Sequence, residues 1–190
     1  MKPMPLLLSA AFLVAIASAH AAEPGNAWPA TRAGQPAPKV PGMPPELARN
    51  LATADDLDFR VYSRQQWQDM HKSHAQDVVA YWPDGHSTKG LEKHLQDVQW
   101  MFTFAPDARV TEHPVRFGTN DAEWTVVTAR VEGTFSKPMT LPDGSTVQPT
   151  GKAFRIPMAT IGHWNKAGAM SEEYLFLDNG ELMKQIGLGK

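Results

Sequence analysis

Trp124 to Phe135 reads WTVVTARVEGTF. Val127, Ala129, Val131 and Phe135 alternate with Thr128, Arg130, Glu132 and Thr134, which is the two-residue period of a strand with one face buried and the other in water. Val126, next to Val127, places an apolar residue on the second face as well. A strand of this kind needs neighbours, and the flanking sequence supplies them. Arg109 to Phe117, Lys152 to Trp164 and Ala169 to Leu177 read as further strands, joined by turns at Pro142-Asp143-Gly144 and Asn165 to Gly168.

The first half has a different period. Glu46 to Asp58 predicts a helix, with Pro44-Pro45 at its start and Leu47, Leu51 and Ala54 along one side. Ser63, followed three residues later by Gln66, has the capping-box pattern and predicts a second helix through about Ser73, with Trp67, Met70 and His74 aligned. Asp77 to Trp82 is a short strand, Pro83-Asp84-Gly85 a turn, and Ser87 or Thr88 caps a third helix that ends before Pro106. Its apolar face carries Leu91, Leu95, Val98 and Phe102, and a last helical turn covers Glu181 to Ile186. Helices first and antiparallel strands after them give an α+β domain, a curved sheet wrapped around a helical layer.

Outside this domain the chain changes character. Residues 1 to 21, MKPMPLLLSAAFLVAIASAHA, combine Lys2, an apolar run from Pro5 to Ile16 and the triplet Ala19-His20-Ala21. That is the layout of a secretory signal peptide with a cleavage site, and the apolar run is short for a bilayer span. Cleavage would leave 190 − 21 = 169 residues, to be found in the periplasm or secreted. Residues 22 to 45 are rich in Pro, Ala and Gly and read as a mobile leader, with the folded domain occupying 46 to 190. Charges of both signs are scattered, with a net of −2, so no basic stripe for nucleic acid and no polybasic membrane patch forms; after cleavage no membrane association is expected. The absence of cysteine removes disulfides, thiolate metal sites and a cysteine nucleophile.

Four segments taken together carry a resemblance. YWPDGHSTKG (81–90), followed by an amphipathic helix and APDARV (105–110), then PTGKAF (149–154), then SEEYLFLDNGELMKQIGL (171–188), is similar to the SnoaL-like polyketide cyclase, or ester cyclase, family of the nuclear transport factor 2-like superfamily. LMKQIGL (182–188) stands where that family has a leucine-x-glutamine-leucine-glycine run. The resemblance implies a cone of bent sheet and helices around one apolar pocket, and homodimer packing through one sheet face. It also implies a small apolar carbonyl-containing ligand, ring closure by intramolecular aldol chemistry, and neither metal nor other cofactor. In such a reaction a carboxylate moves the proton next to an ester carbonyl, assisted by a histidine.

The family's own catalytic pair does not carry over. A dozen residues before Gly187, where the aspartate falls, stands Leu175; the helper histidine maps to Thr160 or Ile161, with His163 the nearest histidine. On a strand Glu173 shares a face with Leu175, about 7 Å away, so Glu173 is the candidate acid/base, an isolated carboxylate whose pKa an apolar pocket would raise. Asp178, which is a family position, is the second candidate and equally a helix cap; His163 is the third, and equally a packing residue. Trp82 and His86 at the pocket mouth, Leu175 on its floor and Trp124 on its wall are the expected ligand contacts. His71-x-x-His74-x-x-Asp77 has metal-like spacing, but Asp77 falls beyond the helix end and no third ligand is suitably spaced, so no metal is expected. Three functions stay open: a cofactor-free cyclase, a non-catalytic module binding the same ligands, and a hydratase or isomerase.

Overall fold

The computed structural model describes residues 29–141 and 143–189. The expected signal peptide (1–21) and the first part of the leader lie outside them. In chain order the elements are β1 (Thr31–Arg32), α1 (Pro45–Asp56), a π-helical turn (Leu57–Tyr62) and a 3₁₀ turn (Trp67–Lys72). Then follow β2 (His74–Tyr81), β3 (Ser87–Lys89), α2 (Leu91–Phe104), β4 (Arg109–Val110), β5 (Glu112–His113) and β6 (Arg116–Gly118). The remainder is β7 (Trp124–Thr134), β8 (Met139–Thr140), β9 (Thr146–Val147), β10 (Ala153–Trp164), β11 (Met170–Leu177) and α3 (Asn179–Gln185).

The sheet has seven strands in the order β3-β2-β11-β10-β7-β4, with β6 also on β7. The expected alternation holds along the whole of β7: every second residue from Thr125 to Gly133 is buried and the others are partly exposed. β10 pairs antiparallel with β7 along eleven residues and with β11 on its other side. The β2–β11 pair is parallel, so the sheet is mixed where the sequence suggested antiparallel strands alone. Helices α1 and α2 fill the concave side. Leu47, Leu51, Leu57, Val61, Met70, Val127, Trp164 and Met170 form one core cluster; Met101, Phe102, Phe104, Val131, Phe135, Phe154, Ile156, Leu182 and Ile186 belong to another.

Four local expectations change. The capping box at Ser63 does not open a helix. Ser63 ends the π-helical turn, its hydroxyl donating to the Asp58 carbonyl, and Gln65 adopts a positive φ of 54° that breaks the helix before the 3₁₀ turn. Ser87 and Thr88 lie in β3, and α2 begins after Gly90, whose φ of 92° makes the turn from strand to helix. Arg109 to Phe117 is broken into three short strands, β4, β5 and β6. The leader, expected to be without structure, docks in part: Thr31 and Arg32 pair with His113 and Glu112, and Thr31 is buried.

Candidate functional site

Between the concave sheet and the helices lies a cavity of about 560 Å³. Its walls are mainly apolar, including Leu57, Met70, Val98, Met101, Leu175 and Met183. The registers explain which strand residues reach it. Leu175 faces Thr160 across β10–β11 and Glu173 faces Gly162, so Glu173, Leu175 and Thr160 point inward together. The cavity floor at the position of the family's aspartate is therefore leucine.

Glu173 is buried but not isolated. His94 Nε2, from the first turn of α2, lies 3.0 Å from Glu173 Oε2, and His74 Nε2, from the start of β2, lies 3.4 Å from the same oxygen. Both imidazoles are fully buried and their rings stand 5.0 Å apart. Burial alone would push the Glu173 carboxyl up, as the sequence suggested. The two histidines overcome that and hold it well below the usual carboxylate range. The raised-pKa expectation fails because the neighbours that matter come from distant parts of the chain.

A second charged wall borders the same cavity. Asp58 and Tyr62, both on the π-helical turn, line it. Behind Asp58 stands His113, whose Nε2 is 2.8 Å from Asp58 Oδ2 and whose Nδ1 is 2.7 Å from Asp55 Oδ1. Asp55 also accepts from Arg116 at 2.7 Å and from the Thr31 hydroxyl at 2.8 Å. Burial pulls the His113 imidazolium down, but the two aspartates outweigh it and its pKa is pushed up to about 9. Burial, with Asp58 nearby, raises the Tyr62 phenol above its ordinary value, so it remains a proton donor. Among the described residues its hydroxyl meets Met101 Sδ alone, at 3.4 Å.

The other expected residues divide between the two faces of the sheet. Trp82 and His86 line the cavity, stacked on each other at 5.7 Å, and Leu175 is its floor. Trp124 and His163 stack at 4.3 Å on the opposite, outer face, next to Tyr174 and Glu172, and are not among the cavity-lining residues. Asp178 caps α3, accepting from the Glu181 amide at 2.8 Å. Of the metal-like trio His71, His74 and Asp77, only His74 reaches the buried cluster; His71 is exposed and bonded to the Gln68 carbonyl.

Four residues of the site were not singled out from sequence: Asp58, Tyr62, His94 and His113. A signal for His94 existed. It lies four residues before Val98 and seven before Met101, on the stripe of α2 that turns inward. A titratable residue on an apolar helix stripe requires a buried partner. For Asp58 no comparable signal exists, because the π-turn that re-aims it is set by tertiary packing.

The family model for SnoaL-like polyketide cyclase matches residues 54–186, more than half of the chain. No curated protein matches the sequence. Among solved structures, a protein assigned as a SnoaL-like polyketide cyclase from Jannaschia sp. CCS1 is 20% identical, covering 77% of this chain and 97% of its own, with a TM-score of 0.62. One assigned as a polyketide cyclase from Xanthomonas campestris is 15% identical, with coverages of 75% and 99% and a TM-score of 0.64. IdmH from Streptomyces antibioticus, also assigned as a polyketide cyclase, is 20% identical, with 73% and 98% covered and a TM-score of 0.61. At these identities the likeness is one of fold.

Proposed function

This chain belongs to the SnoaL-like polyketide cyclase family, and on that premise we propose that it binds a small apolar carbonyl compound and moves a proton at the neighbouring carbon. The observation that carries this reading is one apolar cavity bordered by two separate charged clusters, Glu173 with His74 and His94, and Asp58 with Tyr62. Tyr62 and Asp58 divide the work, with Glu173 and its histidines forming the other charged wall. The neutral Tyr62 phenol can donate to the carbonyl oxygen. Asp58, oriented by His113, takes the proton from the adjacent carbon. The C–H bond breaks, its electron pair moves toward the carbonyl oxygen, and the resulting enolate can attack a second carbonyl of the same molecule, closing a ring. Positioned proton transfer of this kind typically contributes ~10²–10⁴-fold in rate.

The test needs no knowledge of the natural substrate. A panel of apolar β-keto esters and aryl ketones in D₂O should exchange hydrogen for deuterium at the carbon beside the carbonyl, followed by NMR. Asp58→Asn should lose about 10²-fold or more of that rate while still binding the compounds. Leu175 at the floor favours a second reading, a module that holds such ligands without turning them over. Binding without exchange by the parent protein would establish that reading instead.

Export and self-association complete the proposal. Lys2, the apolar run to Ile16 and Ala19-His20-Ala21 support delivery to the periplasm or medium with cleavage after Ala21, which intact-mass measurement of exported protein would verify.

A further inference from the structure

We propose that His74, His94 and Glu173 bind one divalent transition-metal ion, of the kind zinc exemplifies, with an open coordination position facing the cavity. One candidate ligand atom from each of the three residues lies within 4.8 Å of the others, and Glu173 Oε2 is 3.4 Å from His74 Nε2 and 3.0 Å from His94 Nε2. Metal–ligand bonds of about 2.0–2.2 Å at tetrahedral angles set neighbouring ligand atoms roughly 3.3–3.6 Å apart. The two carboxylate–nitrogen separations are close to that range. The ligands come from β2, α2 and β11, each fixed by the core, so the trio is organised before any ion arrives.

Ser73 holds one nitrogen of His74 and leaves the other to the cluster. The Ser73 hydroxyl stands 3.0 Å from the Met70 carbonyl and 2.8 Å from His74 Nδ1; when its single proton goes to Met70, it accepts from His74 Nδ1–H. That bond is the outer-shell support that metal-binding histidines usually have, and it turns Nε2 toward Glu173. In that tautomer Nε2 presents a lone pair to a carboxylate lone pair, and a proton or a cation lies between them.

His94 favours the cation. Its ring is completely buried, yet neither nitrogen has an aligned hydrogen-bond partner among the described residues. The 3.0 Å approach of Nε2 to Glu173 therefore lacks the geometry of a donated hydrogen bond. Buried imidazole nitrogens without partners are rare and call for an explanation. One ion shared by both Nε2 atoms and Oε2 accounts for His94 and His74 together. Two neutral imidazoles and a carboxylate suit zinc or a similar first-row ion rather than calcium or magnesium. On the cavity side a water or a carbonyl oxygen would fill the remaining position, where the ion polarises it. This inference goes beyond the proton-transfer reading and does not depend on it.

The mature protein, stripped with a chelator and dialysed, should take up one zinc ion per chain from zinc chloride alone, with a Kd below about 1 µM. Zinc should raise its Tm by several degrees. His94→Ala and Glu173→Gln should each weaken uptake about 100-fold or more, while His71→Ala, outside the cluster, leaves it unchanged. Should those variants fail to fold, cobalt(II) in the parent protein provides an independent measurement: a visible absorption band of a four- or five-coordinate centre, displaced one for one by zinc. No uptake by the parent at micromolar zinc, or parent-like affinity in folded His94→Ala, would overturn the site. Zinc uptake without hydrogen exchange at any carbonyl compound supports the site and removes the proposed reaction. Exchange in a parent protein that takes up no zinc does the reverse.

Discussion

A histidine between two buried carboxylates gains more from its proton than the same histidine in water. His113 illustrates this, with Asp55 and Asp58 at 2.7 and 2.8 Å and a folded-state pKa of about 9 against 6.5 for the free side chain. Because the folded value lies above the unfolded one, the associated stability is fully present below pH 6.5. It is lost as pH rises from there through 9, and by linkage amounts to something on the order of 3 kcal/mol. The parent protein's Tm should fall across that window, and His113→Gln should be less stable at neutral pH with most of the slope gone. An unchanged slope in that variant would place the titrating group elsewhere. Asp178 is a plainer case. As the N-cap of α3 it accepts the Glu181 amide, so Asp178→Ala should cost about 1 kcal/mol in denaturant unfolding and leave ligand binding intact.

The π-helical turn following α1 is the element on which the second wall depends. Widening the helix at Leu57–Tyr62 places both Asp58 and Tyr62 on the cavity lining, and single wide turns of this sort often accompany functional sites. Its outer side is clamped by Arg60, bonded at 2.6 Å to Asp56 and paired also with Asp69. Its inner side depends on β1, the short strand contributed by the leader. Thr31 donates to Asp55, so the leader helps to fix the carboxylate that holds His113. A chain beginning at Pro44 would therefore lose a hydrogen bond to a buried charged group, worth about 1.5–3 kcal/mol. Urea unfolding should show that loss with the cooperative transition retained; equal stability of the two chains would mean that β1 is dispensable.

At the scale of the whole molecule, part of the convex side of the sheet is apolar where it meets water. Val115, Phe117 and Phe176 are each about half exposed, and Pro157, Ala159 and Phe176 border a shallow groove with Val115. Trp124, Val126, Ile161 and Tyr174 continue the same face along β7, β10 and β11. A contiguous apolar surface of this type is seldom left in contact with solvent, and a second copy of the chain related by a two-fold axis would cover it. The proposed homodimer is expected as a single species in sedimentation velocity at micromolar concentration. Phe176→Asp should shift it to monomer without lowering the cavity's affinity for apolar ligands; a monomeric parent would remove the proposal. Among the described residues no helix is long and apolar enough to cross a membrane.

The sequence by itself determined the period of each long element. Alternation along Trp124 to Phe135 identifies a strand and its buried face, and the same logic places Glu173 and Leu175 together on the inner face of β11, because both properties depend on residues two apart in one segment. The SnoaL-like family and its α+β fold were legible for a similar reason, since their signals lie in contiguous runs. Only the tertiary structure decided what surrounds Glu173. His94 and His74 lie 79 and 99 residues away from it in the chain, and their burial against one carboxylate oxygen reverses the direction in which an isolated carboxyl would shift. The same holds for Asp58, His113 and the docked Thr31, brought together across 24 to 58 residues. A pKa, a metal-binding geometry and a shared cavity depend on distances in space, and local periodicity carries no information about which distant segments will meet.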